Sequence, residues 1–245
     1  MNLPAANAIW VGRALGPVHA ACLSSFVAAG HKTVLHCYEL PKDVPAGVEI
    51  ADARRLMPES AIVCYRKSGS YALFANLYRL KILEAGLGLY VDCDVYCLKP
   101  VADHDYIFGF ESDTQINNAV LKLPRDSDAL KNFLAATGKR NFVPPWFKRS
   151  RRWPLNVRKA IGVPVTIDRL PWGTLGPKAL THFTREAGVI GYGEPADVFY
   201  PVPHGRVGLL VDPGLKLDEL ITARTLCLHL YHQKLKPFLA NIPPE

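Results

Sequence analysis

Two carboxylates stand close together in LGLYVDCDVYCLKP, residues 87–100. This stretch predicts a buried strand with Asp92 and Asp94 in its middle. Side chains alternate between the faces of a strand, so Asp92, Asp94 and Tyr96 share one face. Isolated carboxylates are costly to bury, and a divalent cation is the natural partner for two that converge. Because oxygen ligands favour Mg²⁺ or Mn²⁺, the pair predicts a metal site at the carboxyl side of a strand, where ligands usually bind in α/β proteins.

A helix predicted just before this strand carries a second pair of polar residues. Asn76 and Arg79 are three positions apart and therefore share a helix face. The planar guanidinium of Arg79 can bind a phosphate through two hydrogen bonds. The alternative is a surface arginine beside a surface asparagine, without a function.

Positive charge is concentrated between residues 139 and 159. This segment, KRNFVPPWFKRSRRWPLNVRK, contains eight Lys or Arg residues, four large aromatic residues and no acid. Such a mixture suits an anionic lipid surface, a phosphorylated ligand or a nucleic acid. The alternative is a solvated loop with a few aromatic side chains tucked beneath it.

The elements that must position these residues follow an α/β pattern. Besides the carboxylate-bearing strand, the pattern predicts strands at 8–12, 33–38, 106–111, 119–123, 198–202 and 207–211. It predicts helices at 17–29, 71–85, 128–136 and 178–187 and leaves 221–231 ambiguous. Without repeats or a clean linker, we expect one domain over residues 1–245, with 139–159 as an inserted basic segment.

The composition is that of a globular protein. The 245 residues are 49% hydrophobic and 21% charged, with a net charge of +7, which is enough for a sizeable core. No apolar run approaches the roughly 20 residues that span a bilayer, and the N-terminus lacks the pattern of a signal peptide. The six cysteines show no C-x-x-C spacing, which favours reduced thiols in a cytoplasmic protein.

One known group of enzymes has a similar arrangement of motifs. The stretch SYALFANLYRLKILEAGLGLYVDCDVYCLKP, residues 70–100, resembles the core of the D-x-D-containing sugar transferases of family 32 and, more distantly, of the large glucosylating toxins. These share a helix with D-x-x-R, a Gly-Gly-aromatic turn and a strand that ends in D-x-D. Here Arg79, Gly88 and Tyr90 occupy corresponding places before Asp92 and Asp94.

The resemblance extends to other segments. AIWVG at 8–12 is similar to the first strand of these enzymes, which gives Trp10 and Val11 donor-binding places, with Trp10 against the base. NNAVLKLP resembles the stretch whose asparagine contacts the donor sugar, here Asn118. WGTLGPKALT and LHLYHQ resemble a later G-P motif and a closing segment whose histidine is here His229.

The resemblance implies a GT-A-like, Rossmann-like fold that binds a nucleotide-sugar in a single α/β domain with a mixed sheet. It implies a glycosyltransferase that uses Mn²⁺ or Mg²⁺ and transfers a sugar, with retention of configuration, from a donor that we expect to be a UDP-sugar. Asp94 and His229 would bind the metal, and Asp92 would face the ribose or sugar. Arg79 would contact the diphosphate or sugar, and Asn76 and Asn118 would complete the donor site.

Two departures keep a second function open: Asn76 stands where the family has an aspartate, and Leu87 replaces a glycine. A further departure, Tyr231 in place of a tryptophan, bears on His229, for which the alternative is a core histidine without a metal. Asparagine still offers an acceptor and adds a donor, so binding could survive with an altered sugar preference. The alternative is a weakly active or inactive protein of the same fold that binds nucleotide-sugars or carbohydrates.

The expected partners are the donor and a glycan, lipid-linked or protein acceptor. Residues 139–159 add an expected peripheral contact with a membrane, at the inner face of a cytoplasmic location. No motif in the chain supports nucleic-acid binding.

Overall fold

The computed structural model describes residues 2–139, 142–163 and 165–239, which contain eight strands and seven α-helices. The strands are β1 (Ala6–Trp10), β2 (Thr33–Cys37), β3 (Val48–Asp52), β4 (Leu89–Val91), β5 (Val95–Cys97), β6 (Ile107–Ser112), β7 (Gln115–Lys122) and β8 (Cys227–His229). The helices are α1 (Pro17–Ala28), α2 (Ala72–Glu84), α3 (Asp128–Thr137), α4 (Arg149–Ala160), α5 (Pro177–Glu186), α6 (Ala196–Phe199) and α7 (His232–Leu239).

The main sheet mixes parallel and antiparallel strands in the order β3-β2-β1-β4-β7-β6. Neighbours from β3 to β4 are parallel, whereas β7 is antiparallel to both β4 and β6. The predicted α/β fold with a mixed sheet is therefore confirmed. The parallel order 3-2-1-4 is that of a Rossmann-type half, whose ligands bind at the carboxyl ends of the strands where the order reverses, here between β1 and β4.

Both faces of the sheet are covered, because neighbouring residues of one strand enter different cores. Ala8 belongs to a cluster with residues of α1, whereas Ile9 belongs to one with residues of α2. In β4, Val91 lies on the α1 side and Tyr90 on the α2 side. This two-sided burial explains the nearly continuous apolar sequence of the central strands.

Gly88 allows β4 to pair with β1. Its φ is +113°, and a Cβ atom at this position would lie 2.6 Å from the carbonyl oxygen of Ala5. In the next position, the Leu89 N–H donates to that same carbonyl at 2.9 Å. A glycine is therefore required at this position, since a side chain would force β1 and β4 apart.

The predicted helices at 17–29, 71–85, 128–136 and 178–187 are confirmed to within one residue at each end. The strands predicted at 198–202 and 207–211 are wrong, because the first covers the end of α6 and an irregular stretch, 200–202, and the second lies in a 3₁₀ segment, His204–Val211. Short apolar runs do not distinguish a strand from a buried helical turn. Here Pro195 and Pro203 precede the two helical segments and favour their start.

The remaining global expectations have mixed outcomes. All six cysteines are free thiols. Within the described ranges, no helix has the length and apolar character needed to cross a bilayer.

A single domain over 1–245 stays a prediction. Of the predicted basic insertion at 139–159, Arg140 and Asn141 lie outside the described residues, and the part from Arg149 onward belongs to α4 rather than to a loop.

Candidate active site

Asp92 and Asp94 lie in a turn between two short strands. The continuous strand expected over residues 87–100 is wrong: β4 ends at Val91, and β5 begins at Val95. The Val95 N–H donates to the Asp92 carbonyl at 3.1 Å, which closes the turn. Burial still alternates, since both aspartates are half-buried and Cys93 between them is buried. The turn thus leaves the carboxylates at the carboxyl end of β4, beside the point where the strand order reverses.

Arg79 and Tyr90 fix the position of Asp92. Arg79 Nη2 donates to Asp92 Oδ1 at 2.8 Å, and the Tyr90 hydroxyl donates to the same oxygen at 2.7 Å. The guanidinium also lies over the Tyr90 ring, 4.5 Å from its centroid. Burial raises the pKa of Asp92 above its usual value, although the Arg79 charge opposes this effect.

The polar pair on α2 is buried. Arg79 is 3% exposed and Asn76 7% exposed, so the alternative of two surface residues is wrong. Arg79 Nη1 donates to the Asn118 carbonyl at 2.6 Å. Asn118 Nδ2 donates to Asn76 Oδ1 at 3.0 Å. Asp92 and these three predicted donor-binding residues therefore form one connected group.

Asp94 has a separate set of partners near the end of the described chain. His229 Nε2 lies 3.3 Å from Asp94 Oδ1, and the backbone N–H of His232 donates to Asp94 Oδ2 at 2.9 Å. The antiparallel pairing of β5 with β8 sets Val95 opposite His229. The two-stranded sheet thus places the histidine beside a carboxylate that is far away in sequence.

Charge stabilises the Asp94–His229 pair in its ionised form. Burial alone would raise the pKa of Asp94, but the neighbouring His229 lowers it well below its usual value. Burial alone would lower the pKa of His229, but Asp94 outweighs this effect and raises it. Without a metal ion, a protonated His229 therefore supplies the positive charge that Asp94 needs.

Three side chains converge in a way that suits a cation. Asp92, Asp94 and His229 each offer one ligand atom, and these atoms all lie within 4.8 Å of one another. Two carboxylate oxygens and an imidazole nitrogen form a donor set that Mn²⁺ accepts, and the oxygens also suit Mg²⁺. The residues present therefore fit the metal that the sequence predicts, with His229 in its neutral form as a ligand.

A row of aromatic rings connects the end of β1 to Asp94. The Trp10 ring lies 4.6 Å from His19, and His19 lies 4.4 Å from His232, measured between ring centroids. Trp10 Nε1 is buried without a hydrogen-bond partner in the described part of the chain. Val11, the other predicted residue here, packs at the edge of the α2-side core. Trp10 is thus close to the carboxylates at the same sheet edge.

Sequence reasoning missed His19, His232 and Glu111. His19 and His232 complete the row of rings, and Glu111 accepts from Asn117 Nδ2 at 2.6 Å and from Gln115 Nε2. The negative charge of Glu111 helps to raise the pKa values of His229 and Tyr231, so Glu111 belongs electrostatically to the same site. Only His232 carried a signal, since it lies within LHLYHQ.

Comparisons with known proteins add little to this geometry. No family model matches the sequence, and no curated protein matches it. Among solved structures, one match is titled PaToxG Glycosyltransferase, with 13% identity and a TM-score of 0.48. The alignment covers 75% of this chain and 69% of that chain. The function below therefore rests on the site itself and on the sequence motifs.

Proposed function

We propose that this protein is a metal-dependent glycosyltransferase that transfers a sugar from a nucleotide-sugar, which we take to be a UDP-sugar, to an acceptor. The observation that supports this best is the convergence of Asp92, Asp94 and His229 at the carboxyl ends of β1 and β4. In Rossmann-type sheets, this is where nucleotides bind. Trp10 lies at the end of β1 and offers a ring for the base.

In this proposal, the bond between the anomeric carbon and the diphosphate oxygen breaks, and the oxygen of an acceptor hydroxyl bonds to that carbon. The hydroxyl proton passes to the departing diphosphate or to water. When bound, a divalent cation would offset the charge that grows on the departing diphosphate. Asp94 and His229 are its proposed ligands, and Asp92 faces the ribose or the sugar. Retention of configuration is part of the proposal, which assigns no residue as a nucleophile.

The contacts of Arg79 change its proposed role. The sequence motif assigns this residue to the diphosphate or sugar, but its two terminal nitrogens already donate to Asp92 and to the Asn118 carbonyl. We propose that Arg79 acts mainly as a positioning residue that holds Asp92 charged and correctly oriented. Asn118 and Asn76 remain proposed contacts of the donor sugar.

The test is calorimetric titration of UDP in the presence of Mn²⁺, of Mg²⁺, or of a chelator. We expect binding with a divalent ion and a loss of at least about tenfold in affinity with the chelator. Slow hydrolysis of a UDP-sugar with metal present would then show that the site is catalytically competent. Equal UDP affinity in chelator would remove the basis for the metal assignment.

A second candidate is a nucleotide-sugar-binding protein with little or no activity. Asn76 favours it, because its side-chain oxygen already accepts from Asn118 and carries no charge. This candidate predicts metal-dependent UDP binding without hydrolysis or transfer from any donor tested. The same titration followed by a donor-hydrolysis assay separates the two.

The acceptor is proposed as a glycan, a lipid-linked molecule or a protein. A cytoplasmic location, peripheral at the inner face of a membrane, belongs to the same proposal. Contact through residues 139–159 would bring the protein to lipid-linked acceptors.

A further inference from the structure

Helix α4 differs from the other long helices in how little of it is covered. It runs from Arg149 to Ala160 within the predicted basic segment, and none of its residues is buried. The residues just before it are anchored, since Phe142 is buried and Trp146 lies 5.9 Å from the Phe183 ring of α5. Helix α4 is thus held in place by the residues that precede it, although almost none of its own surface is covered.

The apolar side of α4 faces solvent. Leu155 and Lys159 turn inward and line a small cavity with Phe142. Successive residues rotate by about 100° around a helix, so Trp153 and Val157 and, one turn further, Ile161 fall on the opposite side. Their exposed fractions are 71%, 39% and 67%, respectively. A surface helix normally turns its apolar stripe to the core, so this outward stripe lacks a partner in the described chain.

Cations surround the helix, and by the same rotation Arg149 and Arg158 lie on the two sides of the apolar stripe. The helix and the residue before it carry Lys148, Arg149, Arg151, Arg152, Arg158 and Lys159, and the sequence has no acid between Asp128 and Asp168. None of the six forms a salt bridge with a described carboxylate. A partner must therefore be both apolar and negatively charged at its surface.

We propose that α4 is a docking surface for an anionic lipid membrane, in which it lies parallel to the bilayer surface. Trp153, Val157 and Ile161 would enter the boundary between headgroups and acyl chains, and the flanking arginines would meet the lipid phosphates. Cationic helices with a tryptophan on the apolar face bind membranes in this way. A nucleic acid would satisfy the charges but not the outward apolar stripe. The inference assigns residues of α4 to the membrane contact of the proposed function and rests on that part of it, but it does not depend on the donor site.

The test is co-sedimentation of the intact protein with phosphatidylcholine vesicles, with and without phosphatidylserine. We expect binding only to the anionic vesicles, weakened by added salt. Replacing Trp153, Val157 and Ile161 together by serine should reduce binding at least about tenfold, as should the pair Arg149→Ser and Arg158→Ser. UDP binding should stay unchanged, which separates this inference from the proposed function.

Matched controls use exposed residues elsewhere. Leu40→Ser removes an apolar side chain that is 70% exposed, and Arg55→Ser with Arg125→Ser removes two exposed charges. These variants should bind vesicles like the wild type. In vesicles with brominated lipid, wild-type fluorescence should be quenched, and Trp153→Phe should bind but lose most of that quenching. Equal loss in controls and α4 variants, or binding of an oligonucleotide but not of vesicles, would overturn the proposal.

Discussion

The buried Arg79 and the half-buried Asp92 form an ion pair, with 2.8 Å between Nη2 and Oδ1. Each carboxylate of the D-x-D motif thus has its own cation, since His229 stands beside Asp94. The two aspartates are not an uncompensated pair of like charges. Mutations in this site are therefore expected to affect stability as well as binding, because they leave a buried partner without its counter-charge.

Arg79→Lys should destabilise the protein and weaken metal binding. The sequence alone predicts little change in melting temperature. The contacts of Arg79 instead predict a loss of stability, because lysine keeps the charge but cannot donate to Asp92 and to the Asn118 carbonyl in the same geometry. We expect a loss of roughly 1–3 kcal/mol in the free energy of unfolding, measured by urea titration. The exposed Arg55→Lys is the control, and an equally small effect of both would contradict a positioning role for Arg79.

Tyr90→Phe should weaken the metal site with only a modest stability cost. The change removes one hydroxyl that donates to Asp92 Oδ1 at 2.7 Å and keeps the ring that packs against Arg79. Losing a hydrogen bond of this kind costs about 1–2 kcal/mol. Since the hydroxyl stabilises the charged carboxylate, the pKa of Asp92 should rise, and Mn²⁺ affinity at pH 6 should fall more than at pH 8. Unchanged Mn²⁺ affinity at both pH values would show that Tyr90 has only a packing role.

Local sequence patterns predicted the part of the site that local structure builds. Asn76 and Arg79 share a helix face by spacing alone, and Asp92 and Asp94 follow a short apolar strand. The prediction of one continuous strand was wrong, because the alternation of buried and half-buried residues continues through the turn from Asp92 to Val95. Periodicity reports burial, and it does not show where hydrogen bonding between strands is interrupted.

Contacts between residues far apart in the sequence could not be predicted from local sequence patterns. The His232 amide and Asp94 are 138 positions apart, and β8 lies within the stretch 221–231, whose secondary structure the pattern left ambiguous. His229 was proposed only through a family resemblance. His19 and Glu111 had no motif, since tertiary packing alone brings them to the site.

His229 makes metal binding depend on pH. Its pKa is raised above the usual value, so near neutral pH a proton competes with the metal for this ligand. We expect Mn²⁺ affinity to rise from pH 6 to pH 8, as the imidazole loses its proton. His229→Ala should bind Mn²⁺ at least about tenfold more weakly and should lose most of this pH dependence. The exposed His104→Ala is the control. A pH profile that survives in His229→Ala would assign the titration to another group.

Asp94→Asn should abolish metal-dependent UDP binding and also change stability in a pH-dependent way. The variant is nearly isosteric but loses the charge that binds the cation, so UDP should bind poorly with or without Mn²⁺. For stability without metal, the sign follows from His229. A raised folded-state pKa contributes stability that is present below the unfolded value, near 6.5, and is lost as the pH rises through the folded value.

The Asp94→Asn variant removes that contribution, because its residue 94 no longer attracts the proton on His229. In chelator, the variant should therefore be less stable than the wild type by roughly 1–3 kcal/mol at pH 5.5, and the gap should narrow by pH 8.5. Asp94 itself stays charged over this range, since its pKa is lowered. The sequence alone suggests unchanged or improved folding for this variant, from repulsion between the aspartates. Urea unfolding at the two pH values separates the two expectations. A variant as stable as the wild type at pH 5.5 would favour repulsion between Asp92 and Asp94 as the dominant effect. A stability difference between variant and wild type that widens with pH would contradict the pairing of Asp94 with His229.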